Sequence, residues 1–141
     1  MRIKKTHPEA VIPKYATEGS AGFDLVTVED IVIDPGETKL VRTGLAFEVP
    51  RGHELQIRPR SGISLRTKLR VILGTVDSDY RGEIGVIVDN IGNESELITK
   101  GTRIAQGVVS PISVANMVEV DELSQTERGA GGFGSTGTKA R

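Results

Sequence analysis

Apolar residues along the chain fall into short runs about ten positions apart, each closed by turn-forming residues. Ile31-Val32-Ile33 stops at Asp34-Pro35-Gly36-Glu37, and Leu40 to Val49 stops at Pro50-Arg51-Gly52. Leu55-Gln56-Ile57-Arg58 alternates as far as Pro59, and Leu69 to Val76 reads as one buried run before Asp77-Ser78-Asp79-Tyr80-Arg81-Gly82. Ile84 to Ile91 ends at Gly92-Asn93, Ile98 precedes Lys100-Gly101, and Ile104 to Val109 and Val114 to Val120 complete the set. Short or alternating runs bounded by Gly, Pro, Asn and Asp are strands. No window carries a sustained 3.6-residue stripe, and a turn or two of helix fits only between Ser61 and Lys68. The pattern predicts one all-β domain, a sandwich, jelly roll or barrel, without linker or internal repeat.

Composition sharpens this picture. The 15 Val and 13 Ile outweigh 8 Ala and 9 Leu, which suits a pleated surface because Cβ branching costs rotamer freedom in a helix. With 141 residues the chain is long enough for a single buried core. A net charge of −1 argues against stable nucleic-acid binding, which needs a basic surplus. The absence of cysteine removes disulfides, thiolate metal sites and thiol nucleophiles. His7 and His53 are too few for a histidine metal site. The N-terminus lacks the apolar stretch of a signal peptide, and no run reaches the length of a membrane helix. The expectation is a soluble, cytoplasmic protein without membrane attachment.

Several clusters could carry chemistry. Arg58-Pro59-Arg60-Ser61-Gly62 offers guanidinium forks suited to phosphate, then a hydroxyl; the alternative is a solvated strand face. Asp77 and Asp79 sit where a strand meets a turn, so they are either turn residues or carboxylates placed to orient water. Tyr80 is a packing anchor or a ligand contact. Asp24, inside Ala21-Gly22-Phe23-Asp24-Leu25, requires a partner in so apolar a setting. Arg103 and Gln106 read as edge polar groups. The segment from Gly129 to Gly137 holds five glycines in nine positions and cannot build a core. Its formal G-x-G-x-x-G lacks the following helix of a dinucleotide site. Either it is a solvated tail, or its backbone N–H groups cradle phosphate, with Arg128, Ser135 and Thr136 beside them. Phe133 is odd for a solvated tail and suits stacking on a flat ring.

In order along the chain, Ala21–Leu25, Arg58–Gly62, Gly74–Gly82, Gly101–Gln106 and Arg128–Gly137 resemble the five motifs of the trimeric dUTPases. The resemblance implies a distorted jelly-roll, or β-clip-type, sandwich over residues 1–123 and a flexible glycine-rich arm over 124–141. It also implies a homotrimer with sites at subunit boundaries. By the same resemblance, Asp77 is the catalytic carboxylate that orients and deprotonates water for in-line attack on the α-phosphorus of dUTP, giving dUMP and pyrophosphate. Asp24 reaches Mg²⁺ through water. Arg60, Ser61 and Gly62 hold phosphates with Gln106 in support. Arg128, Gly134, Ser135 and Thr136 grip the terminal phosphate, and Phe133 covers the uracil. Gly74 and Val76 belong to a hairpin whose backbone matches the pairing edge of uracil, while Tyr80 stacks under the deoxyribose and leaves no room for a 2′-hydroxyl.

One position departs from the family pattern. Many members carry Asn six residues before the catalytic Asp, where this chain has Val71, so uracil recognition rests on backbone groups or on a differently placed side chain. Two further readings use the same residues. One is a regulatory module whose partner binding is switched by dUTP, and the other is a dCTP deaminase of similar fold.

Overall fold

The computed structural model describes residues 1–140. Ten strands and one short helix follow in the order β1 (Arg2–Lys5), β2 (Phe23–Val26), β3 (Ile31–Ile33), β4 (Thr38–Glu48), β5 (His53–Arg58), α1 (Ser61–Arg66), β6 (Leu69–Val71), β7 (Gly74–Val76), β8 (Glu83–Asn90), β9 (Glu96–Ile98) and β10 (Arg103–Pro111). All pairings are antiparallel. One sheet has the order β1-β4-β8-β6, a second β2-β10-β5-β7, and β3 pairs with β9 as a ribbon. The all-β expectation holds, with a single helix where the sequence allowed one.

The core is aliphatic and drawn from both sheets. Leu45, Val41, Val86 and Val88 come from the first sheet and Leu25, Leu55 and Ile104 from the second, all fully buried. Strand β5 shows the alternation that produces this: Leu55 and Ile57 point inward while Glu54, Gln56 and Arg58 share the other face. Phe23 on β2 stacks with Phe47 on β4 at a centroid distance of 5.9 Å, joining the sheets through one aromatic pair. Asn90 is buried yet satisfied: its amide donates to the carbonyls of Ile33 (2.8 Å) and Glu94 (2.7 Å), and its oxygen accepts from the Gly92 N–H.

Three expectations need correction. The run from Leu69 to Val76 is not continuous. It divides at Ile72-Leu73, because β6 pairs with β8 in one sheet and β7 with β5 in the other, so the chain changes sheets. The apolar residues from Val114 to Val120 form no strand. Beyond Pro111 no described residue lies in a strand or helix, and Val114 is 89% exposed. Hydrophobic composition alone does not make a strand, and this segment pairs with none of the described strands. Finally, β1 and β2 were not singled out by the apolar pattern; β1 is largely exposed along the edge of β4.

Strand β4 also carries an irregularity that matters below. Arg42 pairs with Gly85 and Ala46 with Glu83, so Thr43-Gly44-Leu45 bulges out of the ladder. Gly44 is required there: its φ is +67°, and a Cβ would lie 2.7 Å from that of His7.

Candidate functional site

Strand β7 is an edge strand, paired only with β5, so backbone groups on its outer side are not used by the sheet. That edge forms one wall of an open cleft of about 480 Å³, lined among others by Leu73, Gly74, Val76, Asp77, Tyr80 and Ile87. The size suits a nucleoside. Val71, in contrast, does not line the cleft; it is 8% exposed and packs in the core. Backbone groups around Leu73 to Val76 therefore border the cleft, and the side chain at 71 does not.

Asp77 directly follows β7 at the rim of this cleft. It is exposed, and no hydrogen bond or ion pair engages its carboxylate among the described residues, while its carbonyl accepts the Tyr80 N–H at 3.2 Å. A carboxylate without a partner keeps its lone pairs for a ligand or a water. Tyr80 is 46% exposed and held in place. Its hydroxyl donates to the Glu83 carbonyl at 3.3 Å, and its ring lies so close to Gly82 that a Cβ there would sit 2.2 Å from the phenol oxygen. Only glycine leaves room for the ring in that position. Arg81 closes the turn by donating to the carbonyls of Ser78 (2.7 Å) and Tyr80 (3.0 Å).

A second cluster forms beyond the other end of β5. Asp24 on β2 accepts from Arg60 Nε at 2.8 Å through one oxygen and from Arg103 Nη1 at 3.2 Å through the other. Arg60 also donates to the Arg103 carbonyl at 3.0 Å, and Gln106 donates to the Pro59 carbonyl at 2.9 Å. Asp24 thus has the partners its setting required. Two guanidiniums against one carboxylate leave a positive surplus suited to an anion. Ser61 and Gly62 follow Arg60 as the first, exposed residues of α1. Arg103, read from sequence as an edge group, is a full member of this cluster. A register shift between Arg103 and Ala105 brings its guanidinium to Asp24, and no local signal in the sequence announces a bulge.

The two clusters do not meet within one chain. Val76 pairs with Leu55, so Asp77 stands beside Glu54, and both line a second recess behind the turn. Arg60 lies six residues further along the same extended segment, which at about 3.3 Å per residue separates them by roughly 20 Å.

The glycine-rich segment stands apart from both. Successive turns shape it, with Gly131 N–H donating to Arg128 O (3.0 Å), Ser135 to Gly132 (3.0 Å) and Gly137 to Gly134 (2.9 Å). Arg128 Nε donates to the Gly131 carbonyl at 2.8 Å. Phe133 has a left-handed backbone (φ 50°) and a wholly exposed ring. Gly134, Ser135 and Thr136 are exposed as well, and Arg141 of the expected arm lies outside the described residues.

The fold is all-β and carries an open cleft beside an edge strand, an exposed carboxylate at the cleft rim and a separate guanidinium cluster suited to an anion. A model of the dUTPase family matches residues 8–137. The deoxyuridine 5′-triphosphate nucleotidohydrolase of Nautilia profundicola is 56% identical over 139 residues, covering 97% of this chain and 98% of the relative. That of Wolinella succinogenes is 58% identical, covering 97% and 93%. Among solved structures, the Staphylococcus bacteriophage 80alpha dUTPase with dUPNHPP superposes with a TM-score of 0.94 at 29% identity, covering 97% and 98% of the two chains. The chain belongs to the dUTPase family.

Proposed function

We infer that the protein hydrolyses dUTP to dUMP and pyrophosphate, with the nucleoside in the β7-edge cleft and the phosphates on the Asp24–Arg60–Arg103 cluster of another copy of the chain. The observation that carries the reading is Asp77, whose carboxylate has no partner among the described residues, at the rim of a nucleoside-sized cleft. Family membership and the curated relatives support the substrate.

Asp77 accepts a proton from a water held at the cleft rim. The water oxygen forms a bond to the α-phosphorus as the bond to the α–β bridging oxygen breaks, and pyrophosphate leaves with that electron pair. Arg60 and Arg103 meet the phosphate oxygens as charged donors already oriented by Asp24, so little reorganisation is needed. Ser61, Gly62 and Gln106 border this cluster. Arg128, Gly134, Ser135 and Thr136 are assigned to the terminal phosphate and Phe133 to the uracil face, with the 124–141 segment acting as a cover. Tyr80, fixed against Gly82, occupies the space a 2′-hydroxyl would need.

Magnesium fits as an ion carried by the triphosphate. Among the described residues no group of three or more His, Cys, Asp or Glu side chains could enclose a metal, so a protein cage is not the arrangement. Asp24 retains a second lone pair on each oxygen and can hold a metal-bound water, in keeping with an ion that keeps several waters. When bound, Mg²⁺ supplies neutralisation of phosphate charge.

A homotrimer is part of the same proposal and comes from the family resemblance; the roughly 20 Å between Asp77 and Arg60 along one chain supports only that the site draws on more than one copy. A cytosolic setting is also proposed, in keeping with the cysteine-free composition. The test is pyrophosphate release from dUTP with Mg²⁺. Wild type should turn over, and Asp77→Asn should lose roughly 10²–10⁴-fold in rate, the usual contribution of a positioned base. Equal rates for the two would remove Asp77 from its role.

A further inference from the structure

Among the described residues the most densely bonded carboxylate is not Asp24 or Asp77 but Glu83, the first residue of β8 and part of the cleft lining. Its oxygens accept from Thr6 Oγ1 at 2.5 Å, Arg42 Nε at 2.9 Å, Arg42 Nη2 at 3.0 Å and the Gly44 N–H at 3.3 Å. Three of these four donations come from the β4 bulge and its flank. The fourth comes from the residue after β1, whose own N–H donates to the Gly44 carbonyl at 2.8 Å. The bulge leaves the Gly44 N–H out of the ladder, and the Glu83 side chain satisfies it. The fork from Arg42 is bidentate, the arrangement that adds geometric precision to strength.

What this anchors is the turn that carries the candidate site. Between Asp77 and Glu83 the bonds are internal: Tyr80 N–H to Asp77 O, Arg81 to Ser78 O and Tyr80 O, and the Tyr80 hydroxyl to Glu83 O. These bonds tie the turn to itself. Its outward side-chain ties are the Glu83 set and a longer, exposed approach of Arg81 to Glu48 at 3.9 Å. Because the Tyr80 hydroxyl rests on the Glu83 carbonyl, a shift of Glu83 is a shift of the ring.

We propose that Glu83 is a positioning residue for the nucleoside cleft: its carboxylate locks the start of β8 to the β4 bulge and to Thr6, and so fixes the Tyr80 ring at the distance that rejects a 2′-hydroxyl. The inference rests on the dUTP reading above and deepens it, since it places sugar discrimination partly in a salt-bridged bulge behind the cleft. A ring displaced by a fraction of an ångström opens room for ribose and loosens deoxyribose. The expected signature is a change in selectivity, with binding affected more than turnover.

The experiment measures kcat and KM for dUTP and for UTP, with Mg²⁺, in the full chain as wild type, Glu83→Gln and Thr6→Val. Wild type should prefer dUTP. Glu83→Gln, which keeps the shape but loses the charge, should lower the dUTP-to-UTP ratio of kcat/KM by roughly 10–100-fold, mostly through KM for dUTP. Thr6→Val removes one bond from a residue outside the cleft and should move the ratio the same way by less. If Glu83→Gln does not fold, Thr6→Val decides alone. An unchanged ratio in the folded variants, with only a lower melting temperature, overturns the inference, because a purely structural role would do just that. A wild type that releases no pyrophosphate from dUTP overturns the functional reading itself and this inference with it.

Discussion

Asp24, Asp77 and Glu83 are carboxylates of one chain in three different surroundings, and those surroundings sort their roles. Asp24 is shared between two guanidiniums, Glu83 is held by Arg42, Thr6 and Gly44, and the Asp77 carboxylate has no partner among the described residues. Arg42 and Thr6 hold the Glu83 carboxyl down at about 2 from an ordinary 4.5, against the opposing effect of its partial burial. A depressed folded-state value means the unfolded chain binds the proton more tightly. The resulting stabilisation is complete above about pH 4.5 and is lost as pH falls toward 2. Acid titration followed by circular dichroism should therefore show a component of unfolding in that window that Glu83→Gln lacks. The same variant should cost about 1–3 kcal/mol at neutral pH, the usual penalty for leaving partners of a charged hydrogen-bonded group unmet. A stability curve for Glu83→Gln parallel to wild type across pH 4.5 to 2 would refute the assignment.

Among the elements, β7 and the segment beyond β10 hold many of the proposed nucleotide contacts, and they were legible in the sequence only in part. Two-residue alternation and turn residues marked β3, β4, β5, β8 and β10 well, because each has one face in the core. The break at Ile72-Leu73 was invisible, since both halves of Leu69 to Val76 are apolar and only sheet pairing separates them. The stretch from Val114 to Val120 misled for the opposite reason: it is apolar without a partner strand in its own chain. In the site, Asp24, Arg60, Asp77 and Gln106 stood in recognisable motifs. Arg103 stood in the same motif as Gln106, but its contact with Asp24 was not legible because a bulge sets its direction, and Glu83 depends on partners up to 77 residues away. Among the described residues the segment from 124 onward contributes no buried one. Truncation after Leu123 should consequently leave the melting temperature within a few degrees of wild type while lowering kcat/KM for dUTP by at least about tenfold, as removal of a closing cover does. A truncated chain with full activity would take Arg128, Phe133, Ser135 and Thr136 out of the site.

For the molecule as a whole, the nucleoside cleft with Asp77 lies at one end of β5 and the arginine cluster beyond the other. On the proposed reading neither is complete by itself, and closed cyclic association, with the Asp77 end of each copy facing the Arg60 end of the next, would complete both. The direct measurement mixes two variants that are each inactive alone, Asp77→Asn and Arg60→Ala, refolded together in equal amounts and assayed for pyrophosphate release from dUTP. A site built from two chains pairs an intact Asp77 with an intact Arg60 in about a quarter of random interfaces, so the mixture should recover about a quarter of wild-type activity. If every site is complete within its own chain, no mixed assembly contains an intact one, and a mixture as dead as its components would contradict the account.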